Sequence, residues 1–226
     1  MTTLSPWARL LPATPDNIKV AAAILRTGGL VAFPTETLYG LGADARNESA
    51  VLNVFKAKAR PADKALIVLV KNIQEAALYG VLDDKARLLA AAFWPGALTL
   101  IVKQSSTSLL APALNLDGGN IALRAPGSAT AMELLRAFSG PITAPSANPS
   151  GAAPPHTAQD VINGLGNVID AVLDDGSYDE RVNERSRGHR TGRRKSMAER
   201  LMAGDVDSEV GTTLSHGCQS LGGTER

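Results

Sequence analysis

Three cations, Lys58, Arg60 and Lys64, fall within seven residues, in Lys58-Ala-Arg-Pro-Ala-Asp-Lys64, and an apolar run over 65–70 follows at once. Arginine offers a planar fork to phosphate or carboxylate oxygens, and lysine a compact positive charge. Pro61 stops the preceding helix and fixes the backbone where these side chains leave it. The chemistry this suggests is the holding of an anion. A solvated helix end, where cations meet the macrodipole, is the alternative reading of the same spacing.

A second polar knot, Pro145-Ser-Ala-Asn-Pro-Ser-Gly151, closes another short apolar run. Ser146 can donate to an anion, and the Asn148 amide can satisfy a donor and an acceptor together. Ends of strands in helix-covered sheets are frequent ligand positions. A turn held by side-chain-to-backbone bonds is the competing reading. Thr35, Thr37 and Tyr39 occupy a further post-strand loop in which Gly40 and Gly42 permit close backbone approach. Glu36 either takes part there or neutralises Lys58 or Arg60. The glycine spacing fits neither a P-loop nor a dinucleotide fingerprint, and no residue stands out as a covalent nucleophile. Arg124 ends an apolar strand, placed for an anion or for an edge salt bridge. Trp94-Pro-Gly-Ala-Leu-Thr99 reads as structural, with Trp94 supplying apolar area.

The elements that must position these residues follow from periodicity and breakers. Ile18, Ala21, Ala22 and Leu25 predict a helix over 17–27, stopped by Gly28-Gly29. A strand over 30–33 leads to a polar, glycine-rich turn over 35–42. Helices are expected over 48–58, 72–79, 83–92 and 129–138, and strands over 65–70, 97–102, 120–124, 142–144 and 168–173. Thr157 is the expected N-cap of a helix through Leu165, with Asp160 near its first-turn amides. Strands and helices interleave, but several neighbouring strands lack a helix between them, so a mixed sheet fits better than a parallel one.

The chain has 226 residues and a formal net charge of +1, enough length for a real core and no whole-molecule attraction to nucleic acid. One cysteine, Cys218, excludes a disulfide framework, and the histidines at 156, 189 and 216 form no metal-binding pattern. The N-terminus lacks the pattern of a secretory signal and no apolar run approaches membrane-spanning length, so a cytoplasmic location is expected. After Gly176 the apolar periodicity fades. Residues 181–200 hold eight Arg or Lys against two acidic residues, and a poorly ordered tail over 177–226 is expected behind a domain over 1–176.

Five segments occur together in a recognisable order: Gly28-Gly-Leu-Val-Ala-Phe-Pro-Thr-Glu-Thr-Leu-Tyr-Gly-Leu-Gly42, Lys58-Ala-Arg-Pro61, Trp94-Pro-Gly-Ala-Leu-Thr99, Leu123-Arg-Ala-Pro126 and Pro145-Ser-Ala-Asn148. In these the chain resembles the threonylcarbamoyl-adenylate synthase family, also called YrdC or Sua5, over residues 14 to about 176. The resemblance implies a single α/β domain with a twisted mixed sheet and a concave basic cavity. It implies formation of threonylcarbamoyl-AMP and pyrophosphate from ATP, L-threonine and bicarbonate, with Mg²⁺ carried in on ATP. Other proteins would then complete the t6A modification of tRNA. By motif position, Lys58 and Arg60 would hold ATP phosphates and bicarbonate-derived oxygen, and Thr35 and Tyr39 would hold threonine. Ser146 and Asn148 would bind phosphate or threonine, with Lys64 and Arg124 as further anion contacts.

The sequence departs from the family pattern at Ala65, at Gly127-Ser128, and throughout the Arg-rich stretch from Ser177, which has the character of an altered reading frame. An RNA-binding or regulatory protein with reduced catalysis, drawing on the basic 181–200 stretch, is therefore the second hypothesis. A hydrolase or carbamoyl-transfer module is the third.

Overall fold

The computed structural model describes residues 7–61, 66–115 and 118–176. Lys64, the 177–226 tail, and with it His189, His216 and Cys218, lie outside the described residues.

Helix α1 (Pro15–Arg26) starts where the Thr14 hydroxyl accepts from the Asn17 amide at 3.3 Å, with proline in its first turn. Its buried face is Ile18, Ala21, Ala22 and Leu25, the residues that the periodicity marks. The remaining helices are α2 (Glu48–Ala57), α3 (Ile73–Tyr79), α4 (Asp84–Phe93), α5 (Ala129–Phe138) and α6 (Ala158–Leu165). Helix α6 has the expected N-cap, and it is part of a reciprocal capping box: the Asp160 amide donates to the Thr157 hydroxyl at 3.0 Å, and the Thr157 amide to the Asp160 carboxylate at 2.9 Å.

The strands are β1 (Arg9–Pro12), β2 (Val31–Pro34), β3 (Tyr39–Gly42), β4 (Ile67–Leu69), β5 (Gly80–Val81), β6 (Leu100–Gln104), β7 (Asn120–Arg124), β8 (Ile142–Thr143) and β9 (Ala171–Asp174). They form two sheets, ordered β1-β9-β2-β3 and β5-β6-β7-β4-β8, rather than one. Both mix parallel and antiparallel neighbours: β1, β9 and β2 are parallel, as are β4 and β7, and the other pairs are antiparallel.

A seam joins the two sheets. Strand β3 runs antiparallel to residues 141–147, with bridges at Gly40–Ser146 and Asp44–Ile142. The Thr143 hydroxyl, fully buried, donates to the Leu41 carbonyl at 3.0 Å and accepts from the Ala43 amide at 2.9 Å. A β-carbon on Gly42 would lie 2.8 Å from Phe33 Cε1 and 2.9 Å from Ile142 Cγ2, so the seam closes only around glycine. The residues read as a single turn over 35–42 are thus a short turn followed by strand β3. The close approach at Gly42 is to core side chains.

Two expected strands shift. The 97–102 strand begins at Leu100, because the Trp94 indole takes the Leu98 carbonyl at 2.7 Å. The last strand begins at Ala171, after Asp170 turns its carboxylate onto the Leu30 amide at 2.7 Å. One core lies beneath α1 and α5, where Leu25, Leu134, Leu135 and Phe138 pack with Phe33, Leu69 and Leu173 of the strands. No helix among the described residues is long and apolar enough to cross a membrane.

Candidate active site

Helix α2 ends in a reversal that sets the first cations. The Arg60 amide donates to the Phe55 carbonyl at 2.9 Å and the Ala59 amide to the Lys56 carbonyl at 3.0 Å. Ala59 takes the left-handed conformation, φ +47°, that this ending usually gives to glycine. The chain therefore turns sharply between the two cations. Lys58 is buried at 1% exposure, whereas Arg60 is half-buried. Arg60 also borders an open pocket of about 400 Å³ with Leu52, Phe55 and Lys56.

The Lys58 ammonium reaches the knot after β8. Nζ donates to the main-chain carbonyls of Ser146 and Asn148, and lies 3.4 Å from Asn148 Oδ1. In the other direction the Ser150 amide donates to the Lys58 carbonyl at 2.7 Å. Burial, and then the nearby Arg60 charge, pull the Lys58 ammonium down to a pKa of about 8. Asn148 is also committed, its Nδ2 donating to the Ala152 carbonyl at 2.7 Å. The half-buried Ser146 hydroxyl makes no hydrogen bond among the described residues.

A second cluster gathers at the end of β7. Arg124 Nη2 lies 2.7 Å from Glu36 Oε1, as an ion pair rather than an aligned hydrogen bond. Arg124 Nε donates to the Gly96 carbonyl at 3.2 Å, which gives the Trp94-Pro-Gly96 turn its place in the site. The Gly127 amide donates to Glu36 Oε1 at 2.9 Å, and the Ser128 hydroxyl to the Pro34 carbonyl at 3.0 Å. Glu36 Oε2 is buried without a hydrogen bond among the described residues. Glu36 therefore pairs with Arg124; the expectation that it neutralises Lys58 or Arg60 does not hold.

The turn 35–38 is common to both clusters. Thr35 Oγ1 donates to the Leu38 carbonyl at 2.6 Å and lies 3.1 Å from the Thr37 hydroxyl, which holds the turn closed. Glu36 extends from it to Arg124, and Gly40, just beyond, bridges to Ser146. Tyr39 is buried, with its hydroxyl 3.4 Å from Asp174 Oδ1 at the end of β9. Burial, and then the Asp174 and Asp175 carboxylates, push its pKa far up, so the phenol stays neutral.

The expected residues are thus brought together in part. Lys58 touches both Ser146 and Asn148, Arg60 is near enough to act on the Lys58 charge, and Arg124 joins the Thr35 turn through Glu36. The sequence reading missed the Thr143 seam and the Gly96 and Gly127 main-chain contacts. None has a local signal, since each depends on a partner far along the chain.

Comparison with known proteins assigns the chain to a family. Residues 23–186 match the family Sua5_yciO_yrdC, described as "Telomere recombination", and the chain belongs to that family. It is 42% identical to the threonylcarbamoyl-AMP synthase of Bacillus subtilis over 74% of this chain and 48% of that protein. It is 35% identical to the threonylcarbamoyl-AMP synthase of Cellvibrio japonicus over 69% of this chain and 82% of that protein. The chain spans about half the length of the Bacillus subtilis and Pyrococcus abyssi relatives. Among solved structures, Pyrococcus abyssi Sua5 complexed with L-threonine superposes at a TM-score of 0.71 and 36% identity, over 75% of this chain and 50% of that one. Escherichia coli YciO superposes at 0.64 with 21% identity, over 76% and 84%, which is a likeness of fold.

Proposed function

We propose that this chain is an L-threonylcarbamoyladenylate synthase, joining L-threonine, bicarbonate and ATP into threonylcarbamoyl-AMP with release of pyrophosphate. The observation that carries the reading is the 36% identical match, over three quarters of this chain, to a Sua5 solved with L-threonine. The loops ending β2, β7 and β8 and helix α2 supply cations and neutral donors, as an anionic pair of substrates requires. On this reading they line the basic cavity expected of the family, within a catalytic domain over 1–176. Transfer of the product to tRNA belongs to other proteins.

The threonine amine attacks bicarbonate-derived carbon to give a carbamate and water, and a carbamate oxygen then attacks the α-phosphorus as pyrophosphate leaves. Neither step needs a protein nucleophile. Alignment and fixed charge do the work. Arg60 and Arg124 serve the phosphate and carboxylate oxygens, the Ser146 hydroxyl donates to one of them, and the Thr35 turn holds the amino acid beside them.

Among the described residues no cluster of His, Cys, Asp or Glu could hold a metal. The cationic and neutral groups here fit Mg²⁺ carried by the phosphate oxygens, which supply most of its ligands. Bound there, Mg²⁺ neutralises polyphosphate charge and assists pyrophosphate departure. The basic stretch 181–200 lies outside the described residues, and no observation in the described fold favours the RNA-binding reading over this one. Pyrophosphate release measured with each substrate omitted in turn tests the proposal. Release should require threonine and bicarbonate together, and release from ATP alone would replace it with a hydrolase.

A further inference from the structure

We propose that Glu36 is a specificity-determining residue: standing against Arg124, it admits a zwitterionic amino acid to the end of β7 and turns away carboxylates that lack an amine. The inference deepens the proposed synthase reaction and rests on it only for which amino acid enters.

Two atoms of this cluster are buried without a hydrogen bond among the described residues, and they are of opposite kind. Glu36 Oε2 is an acceptor and Arg124 Nη2 a donor. Their ion pair joins Nη2 to the other oxygen, Oε1, at 2.7 Å but out of line, and Oε1 already accepts from the Gly127 amide at 2.9 Å. Arg124 Nε is likewise committed, to the Gly96 carbonyl. Buried polar atoms left in this state are uncommon in folded proteins. Both would be completed by one donor for Oε2 and one acceptor for Nη2. The strongest such partners are an ammonium and a carboxylate, here on one small molecule.

The charges point the same way. Arg124 and Glu36 sum to zero, with side chains only 9% and 20% exposed. A carboxylate brought in alone would leave a net negative charge where little water reaches, which is strongly unfavourable. An amino acid adds no net charge, since its carboxylate meets Arg124 and its ammonium meets Glu36. The pair therefore discriminates by repulsion as well as by attraction. The two unpaired atoms are closed to water while the pair is intact, so entry requires it to part. Glu36 is the member that moves, being the more exposed and standing on the turn between β2 and β3.

Binding to the full chain is measured calorimetrically for L-threonine, L-serine and (R)-3-hydroxybutyrate, which has the carboxylate and hydroxyl of threonine but no amine. Wild type should prefer threonine to the hydroxy acid by at least about tenfold, the worth of one charged hydrogen bond. In Glu36→Gln, which keeps the shape of the side chain, threonine should weaken and the hydroxy acid strengthen, to within about threefold of each other. A preference that survives the substitution undiminished is the mark of a merely structural pin, and would overturn the proposal.

A second measurement uses wild type alone, with the glutamate carboxyl groups labelled with carbon-13. Saturating threonine should shift the Glu36 carboxyl resonance, and a resonance that stays in place with threonine bound would overturn the role. Wild type that binds serine but not threonine, with the same shift, would overturn the synthase reading and uphold the role of Glu36. Wild type that binds neither amino acid would overturn the selection proposed for Glu36.

Discussion

Glu36 and Arg124, 88 positions apart in sequence, meet as an ion pair at 2.7 Å. The pair joins the loop after β2 to the end of β7, and the Gly96 carbonyl and Gly127 amide complete it. Both side chains are largely removed from water, so each depends on the other for compensation of its charge. Glu36→Ala should therefore destabilise the fold, at the lower end of about 3–5 kcal/mol because Glu36 retains some exposure. Thermal unfolding measures it. Added pyrophosphate should restore more stability to Glu36→Ala than to wild type, since Arg124 then has no carboxylate competing with an external anion.

Gly42 is where the two sheets close. Alanine there would press on Phe33 and Ile142, and on the Val31 carbonyl at 3.1 Å. Gly42→Ala should cost about 1–3 kcal/mol by overpacking, read as a lower denaturation midpoint in urea with an unchanged slope. Gly119→Ala, where no atom lies within 4 Å but φ is +72°, should instead lose stability through backbone strain alone.

Ala59 pays a backbone penalty to separate Lys58 from Arg60. A left-handed alanine costs about 1–2 kcal/mol, against about 0.5–1 kcal/mol for the extra chain entropy of glycine. Ala59→Gly should then stabilise the protein by about 0.5–1 kcal/mol. A denaturant midpoint that falls would place the reversal elsewhere.

Lys58 gives a pH dependence with two signs. Its folded pKa, about 8, lies below the ordinary 10.5. Between those values the unfolded chain holds a proton that the folded one has released, so this group makes stability rise with pH across the window. The turn it organises loses a donor over the same range. Activity should fall as pH passes about 8 while the Lys58 contribution to stability grows. Comparing wild type with Lys58→Met by denaturation and by rate across pH 7–10 separates this group from other titrations.

Much of the architecture was legible in local pattern. The Ile18, Ala21, Ala22 and Leu25 stripe and the Thr157 N-cap appear as read. Strand β3 was not legible, because Tyr39-Gly-Leu-Gly42 is buried at every position and shows no alternation. Strand β1, short and ending in Pro12, exists by its pairing with β9 from the far end of the domain. The joining of the two sheets rests in part on the Thr143 hydroxyl, which meets the Leu41 carbonyl and the Ala43 amide across about a hundred residues. At the site, the positions of the polar residues could be read, but their partners could not. Glu36 had three cations to choose from, and the fold alone decides for Arg124.

Mass spectrometry of a reaction containing ATP, Mg²⁺, L-threonine and bicarbonate tests the proposed synthase chemistry most directly. Folded protein should yield threonylcarbamoyl-AMP, and none when threonine or bicarbonate is left out. A complete mixture without that adduct, from protein with intact secondary structure and a cooperative unfolding transition, would contradict the account.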